Sequence, residues 1–284
     1  MLLSCGNKKL DLSRPVIMGI LNTTRDSFSD GGNYFKDGKL DIDSALCRAE
    51  QMLAEGAAII DVGGESTRPG ADVVSLTEEL DRVVPVVAAI KKHFDPIISV
   101  DTSSPVVMRE AAAVGANMIN DVRALQQPQA IETVAELRLP VCLMHMQGDP
   151  QTMQHNPHYD DVVVEVKNFL QQRAQACIDG GIAAGAIMID PGFGFGKTLQ
   201  HNIELLQQLS QLHTLGYPLL VGMSRKSMID KWLHRPLDQR LPGSLALALL
   251  ATQRGANIIR VHDVAATHDV LRIQQIIDGL EPLP

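Results

Sequence analysis

The chain has 284 residues, 45% of them hydrophobic, enough for one large domain or two small ones. Its net charge of −8 excludes broad binding to nucleic acid or to an anionic membrane surface, since both need a basic face. A local pair of basic residues could still hold a small anion against that background.

Cys5, Cys47, Cys142 and Cys177 lie far apart without a CxxC pair, so disulfide staples and a structural zinc site are not expected. A reducing, cytoplasmic setting fits that usage. Met1-Leu2-Leu3-Ser4-Cys5 lacks the basic and apolar regions of a secretion leader. No apolar run reaches the ~18 residues of a membrane span.

In chain order, short apolar runs alternate between two kinds of start. The first follows Pro15 and reads VIMGIL. Asp43-Ser44 then opens a helical pattern through Leu46, Ala49, Met52 and Leu53, which ends at Gly56. Gly56-Ala57 leads into AIIDV. Ser75 and Glu78 form a capping box before Leu80, Val83, Val84, Val87 and Ile90, with Pro85 an expected kink. Pro96 precedes IISV. Ser104-Pro105 caps the next helix, and Gly115 closes it before Ala116 and NMIND. Pro140 precedes VCLM, Gly185-Ala186 precedes IMID, Pro218 precedes LLVGM, and Gly255-Ala256 precedes NIIRV. Each glycine before a Gly-Ala run is expected in the left-handed conformation that ends a helix.

Eight apolar runs without polar alternation read as buried parallel strands. With helices between them, they predict a single-domain (β/α)8 TIM barrel over residues 1–284; the competing doubly wound sheet would more often have five to seven strands. In such a barrel the site lies at the C-terminal mouth, so the residues that close each strand are informative. They are Asn22, Asp61 to Gly70, Asp101-Thr102, Asn120-Asp121, His145 to Gly148, Asp190 to Lys197, Gly222 to Lys226, and Arg260 to Asp263. A lone polar residue there commonly caps a helix or satisfies a turn. Eight together point to a site.

The residue types suggest a ligand. Asp101, Asn120, Asp190 and Lys226 suit a flat ring with many donors and acceptors: Asp190 would accept from a guanidine-like edge, and Lys226 would donate to a ring oxygen or nitrogen. Arg260 and His262 follow the eighth run, where barrels often hold phosphate, and Asn22 offers an oxygen suited to Mg²⁺. Gly196-Lys197-Thr198 looks like the end of a phosphate loop, but Pro191 stands where its first glycine is required. No GxSxG elbow is present, and Ser224 with Lys226 is weak grounds for a nucleophile. His145, His155 and His158 lack zinc spacing, and a structural or loop role is expected for them.

NTTRDSFSDGG (22–32), DVGGESTRPG (61–70), SVDT (99–102), Asn120-Asp121, HMQG (145–148), DPGFGFG (190–196), SRKS (224–227) and RVHD (260–263) resemble the dihydropteroate synthase family over nearly the whole chain. GGESTRPG together with DPGFGFGK is highly specific to it. The resemblance implies condensation of a 6-hydroxymethyl-7,8-dihydropterin diphosphate with 4-aminobenzoate, giving dihydropteroate and pyrophosphate. It implies a pterin pocket of Asp101, Asn120, Asp190 and Lys226, and a diphosphate and Mg²⁺ site of Asn22, Arg260 and His262. It also implies an aminobenzoate side of Thr67, Arg68, Pro69, Phe195 and Ser224, with Phe28 in the first loop. Asp101, Lys226, Arg260 and His262 are the expected catalytic groups.

Further implications are inhibition by sulfonamides, which resemble 4-aminobenzoate, and a homodimer. One departure is Arg25, where members usually have proline; the loop is still expected to close, with Arg25 exposed or near the diphosphate. Two other readings stay open: a pterin-binding paralogue without activity, and a methyltetrahydrofolate–corrinoid methyltransferase barrel. The intact loop residues argue against the first, and Arg260 and His262 against the second.

Overall fold

The computed structural model describes residues 1–24, 35–36, 39–65, 74–149 and 152–280. Eight parallel strands form the centre: β1 (Val16–Asn22), β2 (Ile59–Gly63), β3 (Ile97–Asp101), β4 (Met118–Asp121), β5 (Val141–Met144), β6 (Ile187–Asp190), β7 (Leu220–Val221) and β8 (Ile258–Val261). Their spatial order is β6-β5-β4-β3-β2-β1-β8-β7, and a bridge between Ile189 and Leu219 joins its two ends. The ring is the (β/α)8 barrel expected from the alternating runs.

Helices follow the strands: α1 (Ile42–Ala54), α2 (Leu76–His93), α3 (Pro105–Ala113), α4 (Ala130–Leu137), α5 (Val162–Asp179), α6 (Leu199–Gln207), the short α7 (Ser227–Leu233), α8 (Leu241–Gln253) and α9 (Val264–Ile277). None of the described helices is long and apolar enough to cross a membrane. The capping signals act as read. Ser75 and Glu78 complete a capping box on α2, and Ser104 accepts from the Val107 amide with Pro105 in the first turn of α3. Pro85 lies inside α2. The cap of α1 is Asp41, two residues before the expected start, because its carboxylate accepts from the Ser44 amide at 3.2 Å.

Gly56, Gly115 and Gly255 take positive φ after their helices, as expected. Gly185 does not: it belongs to a 3-10 turn at Ala184–Ala186. The helix before it ends earlier, and Gly181 takes the positive φ there.

Side chains two apart on a strand share a face, so the barrel interior fills in layers. One buried layer takes one residue from every strand: Met18, Ile59, Ile97, Met118, Cys142, Met188, Leu220 and Ile258. Beneath it lies a hairpin that the sequence reading did not anticipate, Leu2–Cys5 paired with Lys8–Asp11. Its Leu3, Cys5 and Leu10, with Leu12 beyond, pack on that layer and plug the N-terminal end. The alternate strand residues, such as Ile60, Val62, Ile98, Val100 and Ile119, face the helices in the second, larger core.

Candidate active site

Two residues above the apolar layer the barrel turns polar. The positions are Ile20, Asp61, Ser99, Asn120, Met144, Asp190, Gly222 and Arg260. Asp61 and Ser99 are fully buried, Asn120 is 4% exposed and Asp190 6%. So much buried polarity with so little solvent requires internal partners or a ligand.

Arg260 is the hub. Its Nε donates to Asp61 Oδ2 at 2.6 Å and its Nη2 to Asp101 Oδ2 at 2.8 Å. Asn120 Nδ2 also donates to Asp61 Oδ2, at 3.2 Å. Arg260 therefore lies within β8 and reaches into the barrel, one layer deeper than a position after the strand. Two carboxylates share one guanidinium, leaving an excess negative charge away from water. Burial pushes the Asp101 carboxyl up to about 7; Arg260 opposes that shift and Asp61 reinforces it. Asp61 Oδ1 and Ser99 Oγ, both buried, have no hydrogen-bond partner among the described residues.

Asp190 ends β6, and its Oδ1 accepts from the Gly192 amide at 2.7 Å. Burial raises its pKa, with the charge of Lys226 the main opposing influence. Lys226 precedes α7. Burial pulls it down to about 8 against the attraction of Asp190. Its Nζ donates to the Phe193 carbonyl at 2.5 Å and sits 4.5 Å from the centre of the Phe195 ring, a cation–π distance.

Ser224 and His262 meet at the rim, where Ser224 Oγ accepts from the His262 amide at 3.2 Å and lies 3.1 Å from its Nδ1. Asn22 closes β1 on the same rim: a Cβ added at Gly63 would lie 3.5 Å from both Asn22 Oδ1 and Asp101 Cβ. Asp101, Asn120, Asp190, Lys226, Arg260, His262, Asn22, Phe195 and Ser224 thus gather at one mouth. Thr67, Arg68, Pro69, Phe28 and Arg25 lie outside the described residues.

Asp61, Ser99 and Lys197 were not read as site residues. Asp61 and Ser99 were detectable from the two-residue spacing to Ile59 and Ile97. Asp121, by contrast, turns away from the interior: it accepts from the Arg123 and Leu125 amides at 2.8 Å each and from Ser103 Oγ, stapling the loop after β4. His145 has the structural role expected of it, receiving the buried Lys197.

Among the described residues no group of three or more His, Cys, Asp or Glu could hold a metal ion. Asn22 offers a single hard oxygen. That fits an ion which keeps most of its shell from water and phosphate, as Mg²⁺ does, and not a fully protein-ligated site.

Residues 18–262 match the family described as pterin binding enzyme. The chain is 58% identical over 275 residues to the dihydropteroate synthase of Haemophilus influenzae, covering 97% of this chain and 98% of the relative. Among solved structures it is similar to the Yersinia pestis dihydropteroate synthase with a sulfonamide drug complex, at a TM-score of 0.94 and 53% identity, covering 98% of this chain and all of that one. It is also similar to the Xanthomonas albilineans enzyme with 4-aminobenzoic acid, at a TM-score of 0.91 and 48% identity, covering 99% of each.

Proposed function

This chain belongs to the pterin-binding enzymes, and among them to the dihydropteroate synthases; from that premise we propose how its own residues divide the reaction. The enzyme condenses 6-hydroxymethyl-7,8-dihydropterin diphosphate with 4-aminobenzoate to give 7,8-dihydropteroate and pyrophosphate. Asp101, Asn120, Asp190 and Lys226 hold the pterin. Asn22, Arg260 and His262 hold the diphosphate. Phe195 and Ser224 face the aminobenzoate, with Thr67, Arg68, Pro69 and Phe28 completing that side. The observation that carries this reading is the buried polar layer around Arg260, in which Asp61 Oδ1 and Ser99 Oγ have no hydrogen-bond partner among the described residues.

The amine is a weak nucleophile, and the carbon it attacks is attached to an electron-rich ring. Departure of pyrophosphate first, leaving a pterin cation, needs no protein nucleophile. Asp101 supplies negative charge beside that cation. Arg260 and His262 donate to the departing oxygens, and among the described residues Arg260 Nη1 has no other hydrogen-bond partner. Bound Mg²⁺, held on the protein side by Asn22, would neutralise diphosphate charge. The amine's proton then passes to water or to the pyrophosphate.

If Asp101 acts as a carboxylate, protonation removes its contribution. Its folded-state pKa is about 7, so it is charged above that pH and neutral below. The kcat/KM for the pterin diphosphate is expected to fall about tenfold per pH unit on the acid side of 7. Asp101→Asn should lower the plateau and remove that limb, leaving only the titration of the diphosphate. An acid limb unchanged in Asp101→Asn would overturn the role.

The same reading carries the remaining expectations. Residues 1–284 form one catalytic domain. Sulfonamides compete for the aminobenzoate side, as the drug-bound Yersinia pestis relative supports. A homodimer is supported by exposed apolar side chains on the packed helices α7 to α9: Leu233, Leu250, Ile273 and Ile277. A cytoplasmic location is supported by free cysteines.

A further inference from the structure

The loop after β6 contains a second buried amine, which the mechanism does not use. Lys197 is only 3% exposed. Its Nζ lies 2.9 Å from the Gly192 carbonyl, 3.0 Å from the Phe195 carbonyl and 2.9 Å from His145 Nδ1. An ammonium has three N–H groups, and three acceptors surround this one. Burial pulls its pKa well down, while the charge of Asp190 opposes that. The acceptor side is fixed too: burial and Lys197 hold the His145 ring neutral, and the ring packs edge-on against Phe169 at 4.9 Å.

The rest of the loop is tightly constrained. Gly192, Gly194 and Gly196 all have positive φ. A Cβ at Gly192 would lie 1.9 Å from the His145 carbonyl oxygen, and one at Gly196 2.4 Å from that of Gln147. Tyr159 donates to the Gly196 carbonyl at 2.7 Å. Two groups of the same loop hold Lys226: the Phe193 carbonyl and the Phe195 ring. Lys197 therefore grips the loop at Gly192 and Phe195, on either side of the carbonyl that receives Lys226.

We propose that Lys197 is a positioning residue for the reaction: by clamping Gly192, Phe195 and His145 it sets the Phe193 carbonyl and Phe195 ring that hold Lys226 against the pterin. This rests on the assignment of Lys226 to the pterin pocket. A lysine that merely stabilised the loop would leave Lys226 in place once the protein was folded.

A double-mutant cycle separates the two, because residues acting through one another are not additive. The readout is the dissociation constant of the pterin diphosphate by calorimetry, on proteins whose circular dichroism shows them folded. Lys197→Met keeps the chain length and removes the donors; it is expected to weaken binding about tenfold in the natural sequence and less than about twofold in a Lys226→Met background. Lys197→Gln, with two donors, should recover part of the loss. An equal cost in both backgrounds, or unchanged affinity in folded Lys197→Met, overturns the proposal. If Lys197→Met does not fold, Lys197→Gln runs through the same cycle with the same criteria. Lys226→Met alone without effect overturns the pterin assignment itself, and the inference with it.

Discussion

Asp190→Asn is expected to weaken binding of the pterin diphosphate about 100-fold or more while leaving the barrel folded. The substitution preserves size, so the effect isolates chemistry. Asp190 Oδ1 is occupied by the Gly192 amide, which orients the carboxylate, while its Oδ2 accepts no hydrogen bond from the described side chains or amides. A ring edge of guanidine type presents donors there. An asparagine that keeps its oxygen on Gly192 turns its NH2 toward those donors, so two donors meet and neither is satisfied. Lys226 also loses its principal attracting charge. Calorimetric titration without the amine measures this directly, and an affinity within about twofold of the natural enzyme would remove Asp190 from the pocket.

The second large effect belongs to Arg260. Arg260→Met strips the shared cation from Asp61 and Asp101 and is expected to cost about 3–5 kcal/mol of stability at neutral pH, because uncompensated charge remains buried. The cost depends on pH. Burial raises the Asp101 carboxyl in the folded state above its unfolded value, and without the opposing Arg260 cation it rises further. The folded state then binds protons more tightly, so stability falls as pH rises through the interval and returns on acidification. Asp101 is already at about 7 with Arg260 present, so the interval runs from the ordinary carboxylate range to above 7. Urea unfolding should show the variant close to the natural protein near pH 5 and far below it near pH 8. A deficit of equal size at both pH values would mean that Arg260 stabilises by packing. Arg260→Lys should not restore activity, since one ammonium cannot reproduce a fork that bonds two carboxylates from different nitrogens.

Much of this was legible in the residues. The alternating Pro and Gly-Ala starts located all eight strands, since each marks the end of a helix or turn and not the chemistry of a site. The mouth residues followed from the strand ends. What escaped was depth. Arg260 and Asp61 were read as strand ends, yet they lie within their strands and meet inside the barrel, a pairing that position along the chain does not reveal. Lys197 was legible only as a failed phosphate loop, because nothing local marks a lysine for burial; its partners His145 and Gly192 come from another strand and a tight turn. The N-terminal hairpin was missed because its strands have four residues each and show their alternation only against the barrel floor. Gly185 misled because a Gly-Ala pair looks the same in a 3-10 turn as at a helix end.

We propose that this one mouth carries out diphosphate displacement by an aromatic amine, with the metal ion arriving on the diphosphate. The most direct measurement is release of pyrophosphate from the pterin diphosphate in the presence of 4-aminobenzoate, with Mg²⁺ and after its chelation. One pyrophosphate per dihydropteroate formed is expected with Mg²⁺, with a strong loss on chelation that added Mg²⁺ reverses. Release at background level with all three present would contradict it.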